Sequence, residues 1–518
     1  MARFGVGPGE RAAVDGKRTA IITAVAVALL LTVAGTASVW GVGGLHLSSL
    51  SCQTEMRLGA HMTGVSIGAS TGDAGKYMGD EAVLGNCTVP KLNISGLLDY
   101  GCRVLNDSCF DQHRIIVYNP PDDLEFPYPF LDMGWTETWV PGWTALNKTG
   151  AGPIGTGNAQ PQVRKNSTAD RPDLTDPLFS ACHTPLVWNS PYHIAFGEFF
   201  DNSFVPLWDM QHQRNLFDEN IQLAPVLDGY RMQPFMENLL RPYTNKPLMS
   251  FNDISSREHA TDPRFPRCFK KIVMCGLKGL YKDRPPPAYL HPVYNATMYN
   301  GDKNWTWFQP AQAGKHLVDY YRQAKKIPKL AEPKDKDTLQ VVVGNRTAGY
   351  RQFLNLTEFL RDCNEWQPPA PYKRTRCLAI SVGPEGFLEH VAVLSQTDIM
   401  IAHHGAELCN GFFLPWGSSV VEVRMKDFQE DWDQVYFPSM YRTENNILYW
   451  TARVVNDSNW APAAWERDGA PNHIYAIERN SRLLWEQWEP IFRNITAVRR
   501  DKEAYEKLEF RRDVYFEI

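Results

Sequence analysis

Thr397-Asp-Ile-Met-Ile-Ala-His-His-Gly-Ala-Glu-Leu-Cys-Asn-Gly-Phe-Phe-Leu-Pro415 is the stretch whose reading decides the fold. Ile399 to Ile401 is a short apolar run, the pattern of a strand buried on both faces. Ala406 to Leu414 reads as a helix, and His403, His404 and Gly405 make the turn between the two. A strand that passes through a glycine turn into a helix is half of a βαβ unit. The N–H groups that open such a helix have no partner in the chain, and the helix dipole adds to their pull on an anion. A nucleotide diphosphate is the natural occupant of such a turn; a plain tight βα turn is the other reading of the same residues. Neither GxxxxGK[ST] nor GxGxxG occurs, which excludes a P-loop and the usual dinucleotide fingerprint.

Outward from this stretch the pattern repeats. Leu339–Val343, Cys377–Val382, Ser419–Val423 and Ile447–Trp450 predict strands, while Leu356–Trp366 and Phe387–Gln396 predict helices. Alternating short strands and helices predict an α/β, doubly wound, Rossmann-like domain over residues 338–518, with a trailing helical run from Ile474. Ligands of such sheets bind beyond the carboxyl ends of the strands. Gly344-Asn-Arg346 and Tyr350-Arg351 follow the first strand, and two arginines there can clamp a diphosphate through bidentate hydrogen bonds. A solvated basic loop is their plainer reading.

Residues 111–330 form a less regular N-terminal domain. Strands are expected at Arg114–Tyr118 and Lys270–Leu280, with an apolar helical run from Tyr192 to Met210. Residues 120–180 read as loop, and linkers are expected at Pro285–Pro287 and at Lys325–Asp337, with the domain boundary in the second.

The chain starts differently. Thr19 to Trp40 carries no charge and is long enough to cross a bilayer as a helix. Lys17 and Arg18 precede it, so the positive-inside rule leaves residues 1–18 in the cytosol and the chain beyond residue 40 in the lumen. Small residues at Ala34 to Ser38 also suit a cleaved signal peptide, and either reading leads into the secretory pathway. Residues 41–110, rich in Gly, Ser and Thr, read as a stem. Sequons at Asn86, Asn93, Asn106, Asn147, Asn166, Asn295, Asn304, Asn345, Asn355, Asn456 and Asn494 fit a lumenal glycoprotein. All 10 cysteines follow the apolar run, which points to disulfides, with Cys87, Cys102 and Cys109 expected to pair locally. The net charge of −5 and the lack of a basic run exclude nucleic acid as the expected partner. Asp-x-Asp occurs at Asp335/Asp337 and Asp431/Asp433, but neither pair follows an apolar strand, so both read as solvated loops rather than metal ligands.

The run from Val382 to Val423 resembles glycosyltransferase family 61, whose hallmark is TDI-x-I-x-x-HGAGL-x-x-x-x-F-L-P followed by a V-x-E strand. Asp398, His404, Gly405, Ala406, Leu408, Phe413, Leu414, Pro415 and Glu422 match it. Arg346, Arg351 and Asn355 are similar to the family's R-x-x-x-R-x-I-x-N element, and Arg267–Leu277 to its C-F strand. Tyr192-His193 through Leu207-Trp208 is similar to its His/Asp segment. The resemblance spans about residues 180–455. It implies a GT-B arrangement, two Rossmann-like domains facing a cleft, and an inverting transfer from a UDP-sugar to a glycan or protein acceptor with no metal or other cofactor required. UDP-xylose and UDP-N-acetylglucosamine are the donors it suggests. Arg346, Arg351, His404, Gly405, Ala406 and Glu422 would bind the donor; Asp201, Glu198 or His193 would act as base. One departure stands out: Glu407 replaces the second glycine of HGAGL, which places a carboxylate by the proposed phosphate turn. That residue motivates the alternative, an inactive lumenal sugar-binding or scaffolding protein of the same fold.

Overall fold

The structure is a computed structural model. It describes residues 90–118, 174–256, 267–275, 309–428 and 437–518, less short breaks at 99, 101, 112–113, 175–176, 190–192, 194, 228–231, 331–332, 347–349, 382–385, 443–445, 463–475, 499 and 510–514. All of these belong to one compact unit, Asp73–Ile518. The expected tail (1–18), anchor (19–40), most of the stem, the Pro285–Pro287 linker and the Asp431/Asp433 pair lie outside the described residues. Among those described, no helix is long and apolar enough to cross a membrane.

Two sheets make the α/β fold. The second contains β6 (Thr338–Gly344), β7 (Arg374–Ile380), β8 (Ile399–His403), β9 (Ser419–Arg424), β10 (Leu448–Arg453) and β11 (Tyr515–Glu517), in the order β11-β10-β9-β8-β6-β7. Every pair in it is parallel. Counted from β6, that is the order 2-1-3-4-5-6, which belongs to the doubly wound family and puts the topological switch point between β6 and β8. Successive side chains of a strand point to opposite faces, and the core divides accordingly. Val342, Met400, Ala402 and Val420 face helix Phe387–Leu394, whereas Val341, Val343, Ile399, Ile401 and Val421 face helices Leu356–Glu365 and Trp485–Val498. Each of these Val, Ile and Met side chains contributes about 1.5–3 kcal/mol on full burial.

The first sheet departs from the expected second Rossmann-like sheet. Its order is β2-β1-β5-β3-β4, built from β1 (Arg103–Asp111), β2 (Arg114–Val117), β3 (Pro185–Asn189), β4 (Gln222–Val226) and β5 (Cys268–Cys275). β5, β3 and β4 run parallel, while the β1–β2 hairpin adds to β5 antiparallel. β1 falls inside the stretch that reads as stem. Asp107 takes φ +43° in mid-strand, and the Asn106-Asp-Ser108 polar run hides the strand's periodicity. The cysteines correct a second expectation. Cys102 and Cys109 do not pair locally; they bond to Cys275 and Cys268, so two disulfides cross the β1–β5 ladder. Antiparallel pairing sets Cys109 opposite Cys268, which makes the long-range bond possible. Cys363 bonds Cys377 and ties helix Leu356–Glu365 to β7.

The layer between the sheets holds two helices, α1 (residues 196–213) and α2 (Pro310–Gln323). α1 widens into π turns at Phe200–Phe204 and Asp209–Gln213, to either side of Pro206, which has no N–H to donate. Both helices press on Ala406–Phe413, which is wound as a 3₁₀ helix rather than the expected α-helix. Phe200 stacks on Phe412 with centroids 5.6 Å apart and planes 6° from parallel. A Cβ on Gly197 would come within 2.9 Å of the Ala406 Cα, and one on Gly314 within 2.2 Å of the Phe412 carbonyl oxygen. Backbone packs on backbone at both points.

Candidate functional site

The carboxyl ends of β6 and β8 meet at the switch point. Gly344 ends β6, Asn345 and Arg346 follow it, and His403, His404 and Gly405 leave β8. Gly405 has φ +142°, a conformation open to glycine and strained for other residues. It also lacks a Cβ where two guanidinium groups converge: that atom would lie 2.4 Å from Nη1 of Arg351 and 3.1 Å from Nη2 of Arg346. No side chain caps the helix that begins at Gly405. The arginines and the turn belong to separate loops, after β6 and β8, and the fold brings them together.

Each arginine has a carboxylate. Nε of Arg346 donates to Oε1 of Glu407 at 2.7 Å, and the terminal nitrogens of Arg346 donate to nothing among the described residues. Arg351 donates from Nη1 to the His404 carbonyl oxygen at 3.0 Å and from Nη2 to Glu478 Oε1. Its Nε has no partner. Burial lowers the pKa of Arg351, and the positive charge of Arg346 adds to the effect. The ring of Tyr350 takes both guanidinium groups, with their central carbons 5.2 and 5.5 Å from its centroid. Glu407, the residue out of place in the motif, is buried and faces Arg346. Burial raises its pKa against the opposing pull of Arg346 and Arg351. Glu478 and Tyr350 were not among the expected site residues. The double role of Arg351 gives no local signal for Glu478, which lies 127 positions away in sequence.

The two histidines part company. His403 stacks on Phe353, its Nε2 lies 3.1 Å from Ser481 Oγ, and burial with the two nearby arginines pushes its pKa down to about 3. His404 turns the other way, with Nδ1 against Glu422 Oε1 and the ring between Phe428 and Phe437. Burial would raise Glu422, but Arg424 and His404 outweigh it and hold its carboxyl below the usual range. Burial lowers His404. A neutral imidazole whose Nδ1–H goes to a carboxylate is fixed in one tautomer. Arg424, bonded to Glu422 at 3.2 Å and Tyr449 at 2.9 Å, completes this buried chain.

Asp398, which matches the motif, stands at the other end of β8. It accepts from the Gln340 amide at 2.9 Å and from Arg500 at 2.6 Å, and it pairs with Lys334. It fastens the connecting segment and the C-terminal region to the sheet. Asp335 and Asp337 pair with Arg374 and Lys373 at that same end, near the amino ends of β6 and β7.

The candidate bases sit on the opposite wall. Glu198 is in the first turn of α1, Asp201 in its first π turn, and His193 is buried just ahead. The close approach of Gly197 to Ala406 brings this end of α1 to the head of the Gly405 turn. Both carboxylates lie near Cys409, whose thiol is pushed well up by burial and then by Asp201 and Glu198. The nine residues expected in the site are therefore split between two facing elements. Arg346, Arg351, Gly405 and Ala406 gather at the switch point, with His404 and Glu422 beneath them, and His193, Glu198 and Asp201 belong to α1 and its approach. No protein-family model matches the chain, and no curated protein matches it.

Proposed function

We propose that the protein is an inverting glycosyltransferase that uses a UDP-sugar donor. The observation that carries this reading is the convergence of the Arg346 and Arg351 guanidinium groups over the Gly405 turn, at the switch point of a parallel sheet. Such a crevice takes nucleotide phosphates, and paired guanidinium groups suit a diphosphate. Two sheets with α1 between them support the finer GT-B reading, in which the first sheet carries the acceptor side.

In the reaction an acceptor hydroxyl attacks the anomeric carbon and gives its proton to a base on α1, Asp201, Glu198 or His193. The new glycosidic bond forms as the bond to the UDP oxygen breaks, and the electron pair leaves with the diphosphate. Arg346, Arg351 and the amides opening at Gly405 stabilise that leaving charge in place. One oxygen of Glu407 pairs with Arg346, so its carboxylate stands against a guanidinium group and does not face the turn alone. The disulfides, the sequons and the apolar run 19–40 support a lumenal enzyme held by a single N-terminal membrane helix, in the Golgi or endoplasmic reticulum, acting on a glycan or glycoprotein.

The test is UDP release by the purified protein with UDP-xylose and UDP-N-acetylglucosamine, with acceptor glycopeptides, in the presence and absence of EDTA. Turnover that survives EDTA is the expected result. Turnover abolished by EDTA and restored by Mn²⁺ would overturn the metal-free scheme. Binding of donor without turnover on any acceptor would favour a sugar-binding protein instead.

A further inference from the structure

The site contains more acceptors than a bare anion can use. Oε2 of Glu407 and Oε2 of Glu478 are buried and accept no hydrogen bond from the described residues, although the other oxygen of each holds an arginine. The Glu407 side chain is only 7% exposed, so water does not satisfy it in bulk. Its Oε2 lies 3.6 Å from where a Cβ on Gly344 would be, at the carboxyl end of β6 and therefore inside the crevice. Beside these acceptors stand unused donors: Nε of Arg351, and the terminal nitrogens of Arg346. A buried carboxylate oxygen without a partner is costly, so whatever binds here gains by satisfying it.

Only a hydrogen-bond donor or a cation can do so. A cation would have to settle beside Arg346 and Arg351, whose charges oppose it. A fully ionised phosphate has no hydrogen to donate to these oxygens. The remaining ligand class is one that carries neutral hydroxyl donors within a few ångströms of an anion.

We propose that Glu407 and Glu478 are specificity residues that accept hydroxyl groups of the ligand whose diphosphate lies against Arg346 and Arg351. This rests on the nucleotide-sugar reading above. The hydroxyls come from the ribose on one side of the diphosphate or from the transferred sugar on the other. Glu407, which at first sight spoils a phosphate site, becomes the group that rejects inorganic phosphate and pyrophosphate in favour of the nucleotide sugar.

Isothermal titration of the full chain with UDP, 2′,3′-dideoxy-UDP, UDP-xylose, UDP-N-acetylglucosamine and pyrophosphate tests this, with the wild type beside Glu407→Gln and Glu478→Gln. Glutamine keeps the carbonyl that holds the arginine but turns the second oxygen into a donor. The wild type should prefer a hydroxyl-bearing ligand to its stripped counterpart by about tenfold or more. UDP over dideoxy-UDP points to the ribose; either UDP-sugar over UDP points to the transferred sugar. In Glu407→Gln that preference should collapse while pyrophosphate binds more tightly. Equal wild-type affinity for all five ligands would sink the role of the carboxylates and leave the nucleotide reading standing. Equal weakening of every ligand in both variants would also sink it, by reducing the carboxylates to supports of the arginines. If the wild type binds pyrophosphate but none of the nucleotides, the nucleotide reading itself falls.

Discussion

Arg346 and Glu407 stand 2.7 Å apart, 61 positions distant in sequence, and both are largely screened from solvent. Removing one partner of such a pair leaves the other charged and uncompensated, at about 3–5 kcal/mol. Arg346→Ala should therefore lose both stability and UDP affinity. The double variant Arg346→Ala/Glu407→Ala should regain much of the stability and none of the affinity. Thermal unfolding and UDP titration of both variants check this; equal melting temperatures would contradict the buried pairing.

Arg351→Lys tests geometry rather than charge. Nη1 and Nη2 of Arg351 reach the His404 carbonyl and Glu478, which an ammonium cannot do from one position. UDP affinity should fall by about tenfold, the worth of one charge-assisted hydrogen bond. Unchanged affinity in the lysine variant would show that the fork is not used.

At Gly405, alanine meets two obstacles, the φ of +142° and the Arg351 guanidinium 2.4 Å from its Cβ. The strained backbone alone costs about 1–3 kcal/mol. Displacement of Arg351 should cost donor affinity as well, so Gly405→Ala should lose turnover even at temperatures where it stays folded. Activity measured well below its melting temperature separates the two effects.

The acid side of the stability curve should carry the mark of Glu422. Its folded-state pKa lies below the ordinary glutamate value, so its contribution is present above that value and is lost as pH falls through the lowered one. His404, also lowered, acts in the same sense, because the unfolded chain takes up a proton from about pH 6.5 downward while the buried ring resists it. Glu422→Gln should be less stable than wild type at pH 7 and should lose less on going to pH 4. Melting temperatures across that range give the comparison.

Most of the second sheet was legible. β6, β8, β9 and β10 are apolar runs with polar breaks, and a parallel sheet covered on both faces demands that pattern. Of the first sheet, β2 and β5 were legible in Arg114–Tyr118 and Lys270–Leu280. β1, β3 and β4 were not: Asp107 interrupts β1, and Pro185–Asn189 and Gln222–Val226 each contain a proline, which weakens a strand pattern. The arginines and the glycine turn could be named from their places at strand ends. Their carboxylate partners could not, because Glu407 paired with Arg346 and Glu478 paired with Arg351 are products of folding across 61 and 127 positions. The cysteines taught the same lesson: nearness in sequence suggested local bonds, but register on β5 decided the partners.

Those disulfides give a further prediction. Cys102–Cys275 and Cys109–Cys268 span 173 and 159 positions along one ladder. With either bond intact the long loop stays closed, so the other then closes only the small ring of residues 102–109 and 268–275. Removing one pair should cost about 3 kcal/mol in the chain-entropy picture, and removing both distinctly more. Denaturant unfolding of the two double-serine variants and of the quadruple variant measures this.

The glycine contacts at Gly197 and Gly314 limit how the molecule can move. Enzymes that enclose a donor between two lobes usually swing one lobe about a hinge, and a hinge needs a slack joint. Here the segment after the Gly405 turn, Ala406–Phe413, is gripped from two helices with main chain against main chain, so it cannot slide past either without a clash. Glu198 and Asp201 on α1 and the Gly405 turn must therefore travel as one rigid block, and any opening between the lobes has to pivot somewhere else.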